Sequence, residues 1–411
     1  MMITTLSAFR HPAACAIASL LLWSAPSPAQ QMPKSVAEAQ RMEGAGALPL
    51  TSIYSTPVAA GKSKPGDLLA RETYNGYALP AGVTAVRIVY HSQDAERRDV
   101  ATSAVILTPP GSPPRDGWPV IAWAHGTSGV AQQCAPSLMK DLYYGDEGLF
   151  AIVAAGFAVV ATDYHGLGTP GPHQYVDKVA QARDIIFSVP AARAAVPTLG
   201  RKWVVDGHSQ GGLAAWGTAE LEAEQGDPDY LGAVSVSGAL RLHDLFVHLS
   251  ETPGVGFYLA FMSYGIHARF PEFQPTQMLT PQAMRSYPAV TTQGCWYNGY
   301  AAYLKTPSAS LLSPGWDSNP WVQKYFRENS LGEKPIGGPL FVIAGEADAT
   351  VPIAGVRSLV GAVCKTSTAV TFRSYPGLDH DPTMEKSVPD QLAWIKDRFA
   401  GKPPGRTCPA S

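Results

Sequence analysis

A five-residue stretch, Gly-His-Ser-Gln-Gly at positions 207–211, lies where a strand-like run gives way to a helix-like one. The β-branched pair Val204 and Val205 precedes it, and the alanine-rich segment 213–221 follows it. β-branched residues favour strands and alanine favours helices. Glycine on both sides of Ser209 permits a turn so sharp that larger side chains two residues apart would collide. The pattern predicts a strand–turn–helix unit that lifts the Ser209 hydroxyl clear of the backbone.

The rest of the chain repeats this alternation of apolar strand-like runs and helical patterns. Continuous apolar runs are typical of parallel strands covered on both faces, and helices between them favour an open sheet. The sequence therefore predicts an α/β fold with a mostly parallel central sheet flanked by helices. Predicted strands are 85–91 and 100–110, joined as a hairpin, then 118–126, 156–166, 202–209, 233–238, 339–348 and 369–377. Predicted helices are 138–155, 176–195, 209–225, 353–363 and 390–399.

Residues 1–29 have the pattern of a secretory signal peptide. Arg10 precedes the apolar run 13–23, and the small residues Ser27 and Ala29 are spaced for cleavage. The run is too short to span a bilayer comfortably, and a membrane-anchored N-terminus is the alternative interpretation. The segment is therefore predicted to be removed, and the protein to be secreted into an extracellular or periplasmic space.

The interval 239–338 interrupts the alternation of strands and helices. About 100 residues separate two predicted strands there, which is too many for a loop inside a compact domain. The interval is also rich in tryptophan, tyrosine and phenylalanine. We therefore predict a core made of residues 30–238 and 339–411, with a mainly helical cap inserted between the two parts.

A serine becomes a good nucleophile only with a base to take its proton and an acid to orient that base. Four histidines follow Ser209, and three of them lie in the predicted cap. The fourth, His380, follows the last predicted strand and is predicted to be the base. Asp348 follows the preceding strand and is predicted to be the acid, with Glu346 as the alternative. The aspartates on either side of His380 are expected to cap or brace its loop.

The charge that develops on an attacked carbonyl oxygen needs backbone N–H donors nearby. Gln210, the residue after the serine, and Thr127, in the segment “HGTSG”, are predicted to supply them. The hydroxyl of Thr127 is a third candidate donor. The predicted helix after Ser209 also directs the positive end of its dipole to this place. His125 precedes Ser209 in the chain, so it is expected to be a structural hydrogen-bonding residue rather than the base.

The chain has five cysteines, of which one belongs to the predicted signal peptide. The remaining four are Cys134, Cys295, Cys364 and Cys408. An even number in an exported chain favours two disulfides, and four cysteines allow three pairings. A zinc site would need closely spaced C-x-x-C pairs, which this sequence lacks. The residues alone therefore predict two disulfides and no metal, and leave the pairing open.

Five segments, taken in their order along the chain, match the pattern of a known family: “AHGTSG”, “TDYHGLGTPG”, “GHSQGG”, “AGEADATVP” and “GLDHDP”. With them, the chain resembles the α/β-hydrolase superfamily and, more narrowly, the secretory lipases of the lipase A type. The likeness covers most of the chain from about residue 53 onward. It implies a catalytic triad of Ser209, Asp348 and His380. It also implies an oxyanion hole formed by Thr127 and Gln210.

The same resemblance implies further features of the site and its surroundings. The loop that begins at Asp163 is expected to line the site. Disulfides are expected between Cys134 and Cys295, tying the cap to the core, and between Cys364 and Cys408, tying down the C-terminal tail. No cofactor or metal is implied.

These features together predict a secreted serine carboxylic-ester hydrolase, a lipase or esterase that acts through an acyl-enzyme. Its binding partner is expected to be its substrate, a small-molecule or lipid ester. Transient contact with a lipid–water interface is expected to bring it to some of these esters. The apolar stretch 255–262 is expected to line a groove for the acyl chain, or else only to pack the cap. The formal net charge of -2 provides no basic surface for nucleic acid. No obligate protein partner is evident.

Three other functions remain open from the sequence. The first is a serine peptidase or amidase with the same fold, and the second is a polyester depolymerase. The third belongs to a different class, a non-catalytic hydrolase-like binding module.

Overall fold

A nine-stranded sheet forms the centre of the computed structural model, which describes residues 32–59 and 61–409. The predicted signal peptide, residues 1–29, lies outside the described residues. The strands are β1 (Leu68–Thr73), β2 (Thr84–Gln93), β3 (Asp99–Thr108), β4 (Trp118–Ala124), β5 (Ala158–Thr162), β6 (Leu199–His208), β7 (Tyr230–Val236), β8 (Leu340–Gly345) and β9 (Val370–Tyr375). Their order across the sheet is β1-β2-β3-β5-β4-β6-β7-β8-β9.

The sheet is antiparallel at one edge and parallel elsewhere. Strands β1, β2, β3 and β5 pair antiparallel in succession. From β5 onward every neighbouring pair is parallel. This confirms the predicted mostly parallel sheet, and it places the carboxyl ends of β4, β6, β7 and β8 along one edge, where sites in open α/β sheets lie.

Eleven α-helices accompany the sheet in the part of the chain that the structure describes. They are α1 (Val36–Gly46), α2 (Phe150–Ala154), α3 (Lys178–Ala195), α4 (Gln210–Gln225), α5 (Leu242–Glu251), α6 (Phe257–Arg269), α7 (Pro281–Met284), α8 (Trp296–Tyr303), α9 (Pro320–Glu328), α10 (Ile353–Val363) and α11 (His380–Phe399). The predicted helices 176–195, 209–225 and 353–363 agree with α3, α4 and α10 to within two residues.

The helix predicted over 138–155 is wrong over most of its length. Only α2 is regular there, after a short π-helical turn over Gly145–Leu149. Leu142 and Tyr143 have φ of 57° and 69°, and Gly148 has φ of 140°, values that no α-helix contains. The sequence offered alanines and apolar residues in this segment, but Gly148 permits a positive φ at its own position, and Leu142 and Tyr143 adopt one without being glycine.

One helix boundary and two elements escaped prediction for identifiable reasons. Helix α11 begins ten residues before the predicted start at 390, and it continues through Pro389. Strand β1 has the sequence Leu-Leu-Ala-Arg-Glu-Thr and lies half-exposed at the edge of the sheet, so it lacks a long apolar run. Helix α1 carries a capping signal that could have revealed it, because Ser35 accepts a hydrogen bond from the Glu38 N–H.

Each face of the sheet is covered by its own helices. Successive side chains of β6 lie on opposite faces of the sheet. Val205 belongs to the core beneath α3 and α4, and Val204 belongs to the core beneath α2 and α11. Ile185 and Leu213 pack on the first face. Helices on both faces of a mostly parallel sheet make this an α/β-hydrolase-type architecture.

A mainly helical insertion, residues 237–339, connects β7 to β8 and contains α5 to α9. Its apolar side chains continue the same core that α3 and α4 cover. The carboxylate of Glu43, on α1, accepts hydrogen bonds from the backbone N–H groups of Cys295 and Asn298, at the start of α8. The insertion is therefore held by the N-terminal helix as well as by the sheet.

The structure forms two disulfides, Cys134–Cys295 and Cys364–Cys408, with Cα atoms 5.4 and 6.2 Å apart. This is the pairing that the family resemblance implied. The first links the segment after β4 to the insertion, and the second links the end of α10 to the C-terminal tail. Across residues 32–59 and 61–409, no helix is both long and apolar enough to cross a membrane.

Candidate active site

Ser209 lies at the sharp turn between β6 and α4. Its φ and ψ are 58° and -117°, a left-handed conformation that is costly for any residue except glycine. A Cβ atom on Gly211 would overlap the carbonyl oxygen of Ala124, and one on Gly207 would overlap the carbonyl of Gly211. The predicted strand–turn–helix unit is therefore confirmed, and both glycines are needed for the close approach of strand and helix.

Asp348 and His380 are in direct contact. Nδ1 of His380 lies 2.8 Å from Oδ2 of Asp348, and the Asp348 side chain is only 1% exposed. The other oxygen, Oδ1, accepts the backbone N–H groups of Thr350 and Val351 at 2.9 and 2.7 Å. Glu346, the alternative acid, instead accepts from Ser374 and pairs with Arg357 at the surface, so only Asp348 of the two contacts His380.

His380 begins α11, and the helix start fixes its backbone. The carboxylate of Asp379 accepts the N–H of His380 at 2.8 Å and that of Ala349 at 3.0 Å. It therefore caps the helix and also joins the loop that carries Asp348 to the loop that carries His380. The expectation that an aspartate beside His380 would cap or brace is met by Asp379, while Asp381 is exposed.

The electrostatics around His380 favour its predicted role as a base. Burial lowers its pKa, but the carboxylate and hydrogen bond of Asp348, with the charges of Asp381 and Asp379, outweigh burial and raise the pKa overall. Its Nε2 is buried and has no hydrogen-bond partner among the described residues. That nitrogen is therefore free to accept a proton from another group.

A second histidine, His208, supports the first and was not singled out from the sequence. The rings of His208 and His380 lie 4.6 Å apart. Nδ1 of His208 contacts the Tyr144 hydroxyl at 2.9 Å, and its Nε2 contacts the carbonyl oxygen of His380 at 3.3 Å. Burial, with the nearby charge of His380, holds the pKa of His208 well below its usual value, so this ring is neutral. Its position directly before Ser209 was the available signal.

His208, His380 and Asp381 offer ligand atoms within 4.8 Å of one another, which raises the question of a metal. Both ring nitrogens of His208 are already engaged, Nδ1 by the Tyr144 hydroxyl and Nε2 by the carbonyl oxygen of His380. Nδ1 of His380 contacts Asp348. Asp381 is exposed. The arrangement therefore fits a hydrogen-bonded base rather than a metal centre.

Thr127 lies in a braced loop beside Ser209. Its Oγ1 is 2.9 Å from the hydroxyl of Tyr175, and its carbonyl oxygen accepts from the hydroxyl of Tyr143 at 2.6 Å. The next carbonyl, of Ser128, accepts the N–H of Trp296 from the insertion. Gln210 is the first residue of α4, where backbone N–H groups have no partner inside the helix.

A small cavity joins these groups and has a volume of about 20 Å³. Polar residues Ser209, Thr127 and Gln210 line it, and so do Thr350 and Val351, which follow Asp348. The structure thus brings the predicted nucleophile, both predicted oxyanion residues and the loop of the predicted acid to one cavity.

Helix α5 contributes three apolar side chains to the wall, Leu245, Phe246 and Leu249. Of the stretch 255–262, only Tyr258 reaches the cavity, because its neighbours on α6 are buried in the core of the insertion. The expectation that this stretch lines the groove is therefore wrong for all but one residue.

His125 and Asp163 act as structural residues near the site. Nδ1 and Nε2 of His125 lie 2.6 and 3.2 Å from the carbonyl oxygens of Gly126 and Asp163, and burial lowers its pKa to about 4. The Asp163 carboxylate is itself buried and accepts from Ser103 and Ser137. The loop that begins at Asp163 reaches the cavity further along, at Tyr175.

A model of the family “Secretory lipase” matches residues 144–407, which is more than half of the chain. The chain belongs to the secretory lipase family. As a member of this family, it is a carboxylic-ester hydrolase of the lipase and esterase class. The match covers the segments that carry Ser209, Asp348 and His380, and it ends one residue before Cys408.

Two relatives and one solved structure show how far the likeness extends. The secreted triacylglycerol lipase LIP7 of Malassezia globosa is 23% identical to this secretory lipase, covering 87% of this chain and 80% of its own length. A probable inactive lipase of Mycobacterium tuberculosis is 24% identical, covering 85% of this chain and 82% of its own. Lipase A of Candida antarctica in its closed state superposes with a TM-score of 0.74 at 17% identity, covering 88% of this chain and 91% of that one. The last comparison supports the α/β-hydrolase fold.

Proposed function

We propose that this secretory lipase cleaves acyl esters through Ser209, Asp348 and His380. The observation that carries the proposal is the 2.8 Å contact between Nδ1 of His380 and Oδ2 of Asp348, at the edge of the sheet that also presents Ser209. A buried carboxylate on one ring nitrogen leaves the other nitrogen as the proton acceptor. The strained turn at Ser209 holds its hydroxyl at the cavity.

The reaction follows from these positions. Oγ of Ser209 attacks the ester carbonyl carbon while Nε2 of His380 takes its proton. The carbonyl oxygen becomes an oxyanion, which accepts hydrogen bonds from the backbone N–H groups of Gln210 and Thr127. His380 then gives the proton to the departing alcohol oxygen, leaving an acyl group on Ser209. Water attacks this acyl-enzyme with the same base, which releases the carboxylic acid.

The cavity favours an acyl chain of limited length. The cavity volume of about 20 Å³ leaves room for roughly one water-sized group, which suits only the shortest acyl chains. Its wall on α5 is apolar, so each added methylene gains about 0.8 kcal/mol until the space is full. The Malassezia globosa relative is a triacylglycerol lipase by name, and triacylglycerols with short acyl chains are the lipids that we propose for this protein.

Secretion is part of the proposal. Two disulfides suit an oxidising compartment outside the cytosol, and residues 1–29 have the pattern of an export signal. The relative named as secreted supports the same destination.

The relative named as a probable inactive lipase makes the non-catalytic binding module the rival to test. A protein that only binds would have no need for Asp348 to hold His380 at hydrogen-bond distance. The contact between these two residues, together with the retained Ser209, favours catalysis in this chain.

The deciding experiment uses p-nitrophenyl esters of two to sixteen carbons, a triacylglycerol emulsion and a fluorophosphonate label. The unaltered protein should hydrolyse short esters and take up one label per chain. Ser209→Ala should fold normally, take up no label and lose about a million-fold in kcat. Ser310→Ala, which alters a half-exposed serine of the insertion, is the matched control. Turnover by Ser209→Ala near that of the control would disprove the proposal.

A further inference from the structure

The loop between β5 and α3 contacts both residues of the proposed oxyanion hole. Nε2 of His173 lies 3.2 Å from Nε2 of the Gln210 side chain. Two residues further on, the hydroxyl of Tyr175 lies 2.9 Å from Oγ1 of Thr127. Both contacts are buried, and His173 is fully so. One loop thus braces the hole from the side of β4 and from the side of α4.

The neighbours of His173 determine where its ring carries hydrogen. Its Nδ1 lies 3.0 Å from the carbonyl oxygen of His165, which can only accept, so Nδ1 bears the hydrogen. Burial, with the nearby charge of His165, lowers the pKa of His173 to about 3, and the ring is neutral. Nε2 is then an acceptor, and the Gln210 amide N–H donates to it.

His165 is itself anchored, which fixes the carbonyl that His173 contacts. Both its backbone N–H and its Nδ1 contact Oδ2 of Asp184, at 2.9 and 2.8 Å. The other oxygen of Asp184 accepts the hydroxyls of Ser92 and Thr102. Strands β2 and β3 therefore fix Asp184, and Asp184 fixes His165. The carbonyl of His165 in turn orients His173, whose ring contacts the Gln210 side chain.

We propose that His173 is a positioning residue for catalysis, acting through Gln210 on the direction of the Gln210 backbone N–H. The inference rests on the proposed function, because it presupposes that this N–H stabilises the oxyanion. A side chain pinned at its far end limits the rotation of its own peptide unit at the first turn of α4. The carbonyl end of that peptide, at Ser209, accepts the backbone N–H groups of Gly212, Leu213 and Ala239. Its N–H end has no partner inside the helix, so the His173 contact with the Gln210 side chain fixes that end.

This role predicts a specific kinetic signature. An oxyanion hole contributes more to the transition state than to the bound ester, because the charge on the oxygen is only fully developed there. Loss of the His173 contact should therefore lower kcat and leave KM nearly unchanged. A purely structural role would instead lower the amount of folded enzyme without changing kcat per active site.

The test compares two substitutions of His173 that each keep one half of the ring's hydrogen bonding. In His173→Gln, the amide oxygen reaches the place of Nε2 and can accept from Gln210. In His173→Asn, the shorter amide can replace only Nδ1 and contact the His165 carbonyl. Active sites are counted by fluorophosphonate labelling, so that kcat refers to folded enzyme only.

We expect His173→Asn to lower kcat about tenfold or more, by analogy with a weakened oxyanion donor, and His173→Gln to restore most of it. In a Gln210→Met background, which removes the amide and keeps the backbone N–H, His173→Asn should cost nothing further. Equal losses in the two His173 variants, or additive losses with Gln210→Met, would overturn the inference. Failure of the proposed function would show separately, as turnover by Ser209→Ala.

Discussion

The carboxylate of Asp348 is held on both sides, with His380 Nδ1 at 2.8 Å from one oxygen and two backbone N–H groups on the other. The backbone donors, from Thr350 and Val351, prevent the carboxylate from rotating away from the imidazole. The ring of His380 is consequently oriented by a group that is itself fixed. This relationship distinguishes Asp348 from Glu346, two residues earlier on the same loop.

Asp348→Asn should therefore damage catalysis far more than Glu346→Gln. The amide would present the wrong hydrogen-bonding group to Nδ1 and remove the charge that stabilises protonated His380, with an expected loss of about ten-thousand-fold in kcat. Glu346→Gln alters a surface contact with Arg357 and should stay within about twofold. Steady-state kinetics on a short p-nitrophenyl ester measure both. The reverse ranking would identify Glu346 as the acid.

The pH dependence of hydrolysis should report on His380. The base must be neutral, so kcat/KM should rise with pH as His380 loses its proton, at a pH above the ordinary histidine value because its pKa is raised. Asp381 is one of the negative charges that raise this pKa. Asp381→Asn should lower the pKa and move the acid limb of the profile to lower pH.

The matched control for Asp381→Asn is Glu385→Gln, which removes an exposed charge one turn further along α11. Its acid limb should coincide with that of the unaltered protein. Because Asp381 is exposed, its effect should weaken at high salt. A limb that moves equally in both variants would show that only net charge matters.

Phe246 and Leu249 on α5 should set the acyl-chain preference. Phe246→Leu enlarges the cavity, so the optimum in a series of p-nitrophenyl esters should move to longer chains, with gains of a few-fold per added methylene, on the order of 0.8 kcal/mol. Leu249→Trp fills the cavity and should shorten the preferred chain, with acetate hydrolysis affected least.

The control for Phe246→Leu is Phe261→Leu, the same change in the buried core of the insertion. It should lower stability on the order of 1 kcal/mol and leave the chain-length profile unchanged. If Phe261→Leu shifts the profile as much as Phe246→Leu does, packing of the insertion controls chain length, not the cavity wall.

Asp206 should make the protein less stable as pH rises. Burial raises its pKa to about 8, a change that the backbone N–H of Gly207 opposes only in part, and no side chain among the described residues donates to either carboxylate oxygen. The unfolded chain releases this proton near pH 4 and the folded chain only near pH 8. Stability should therefore fall between these values, by up to about 1.4 kcal/mol per pH unit.

Asp206→Asn removes the titrating group and should flatten that decline. Urea unfolding at pH 5, 6.5 and 8 should show a free energy of unfolding that falls less steeply in the variant than in the unaltered protein. Parallel slopes in the two proteins would mean that Asp206 is ionised in the folded state.

Local chemistry explains what the sequence predicted well. The spacing of Gly207, Ser209 and Gly211 encodes a turn that few other residues permit, and the structure has that turn. The order of the predicted strands placed Asp348 and His380 on neighbouring loops, and these two side chains are in contact. Residues whose position follows from a strand end can be located from sequence alone.

Tertiary context explains what the sequence predicted poorly. Hydrophobicity alone cannot distinguish the wall of a cavity from a packed core, so the strongly apolar α6 was assigned to the groove. Helix α5 lines the cavity with only three apolar side chains on a face that also carries polar neighbours. His173 and His208 were missed for a similar reason, because their partners lie far away in the chain and become neighbours only on folding.

The insertion leaves the sheet after β7 and returns at β8, and these two strands pair directly. A segment that departs and returns at adjacent strands can change length or composition without disturbing the register of the sheet. Ser209, Asp348 and His380 lie outside it, whereas the α5 wall lies within it. The proposed catalytic residues and the residues that select the acyl chain therefore lie on separate stretches of the chain. Relatives that share the proposed catalytic residues can therefore differ in the esters that they accept.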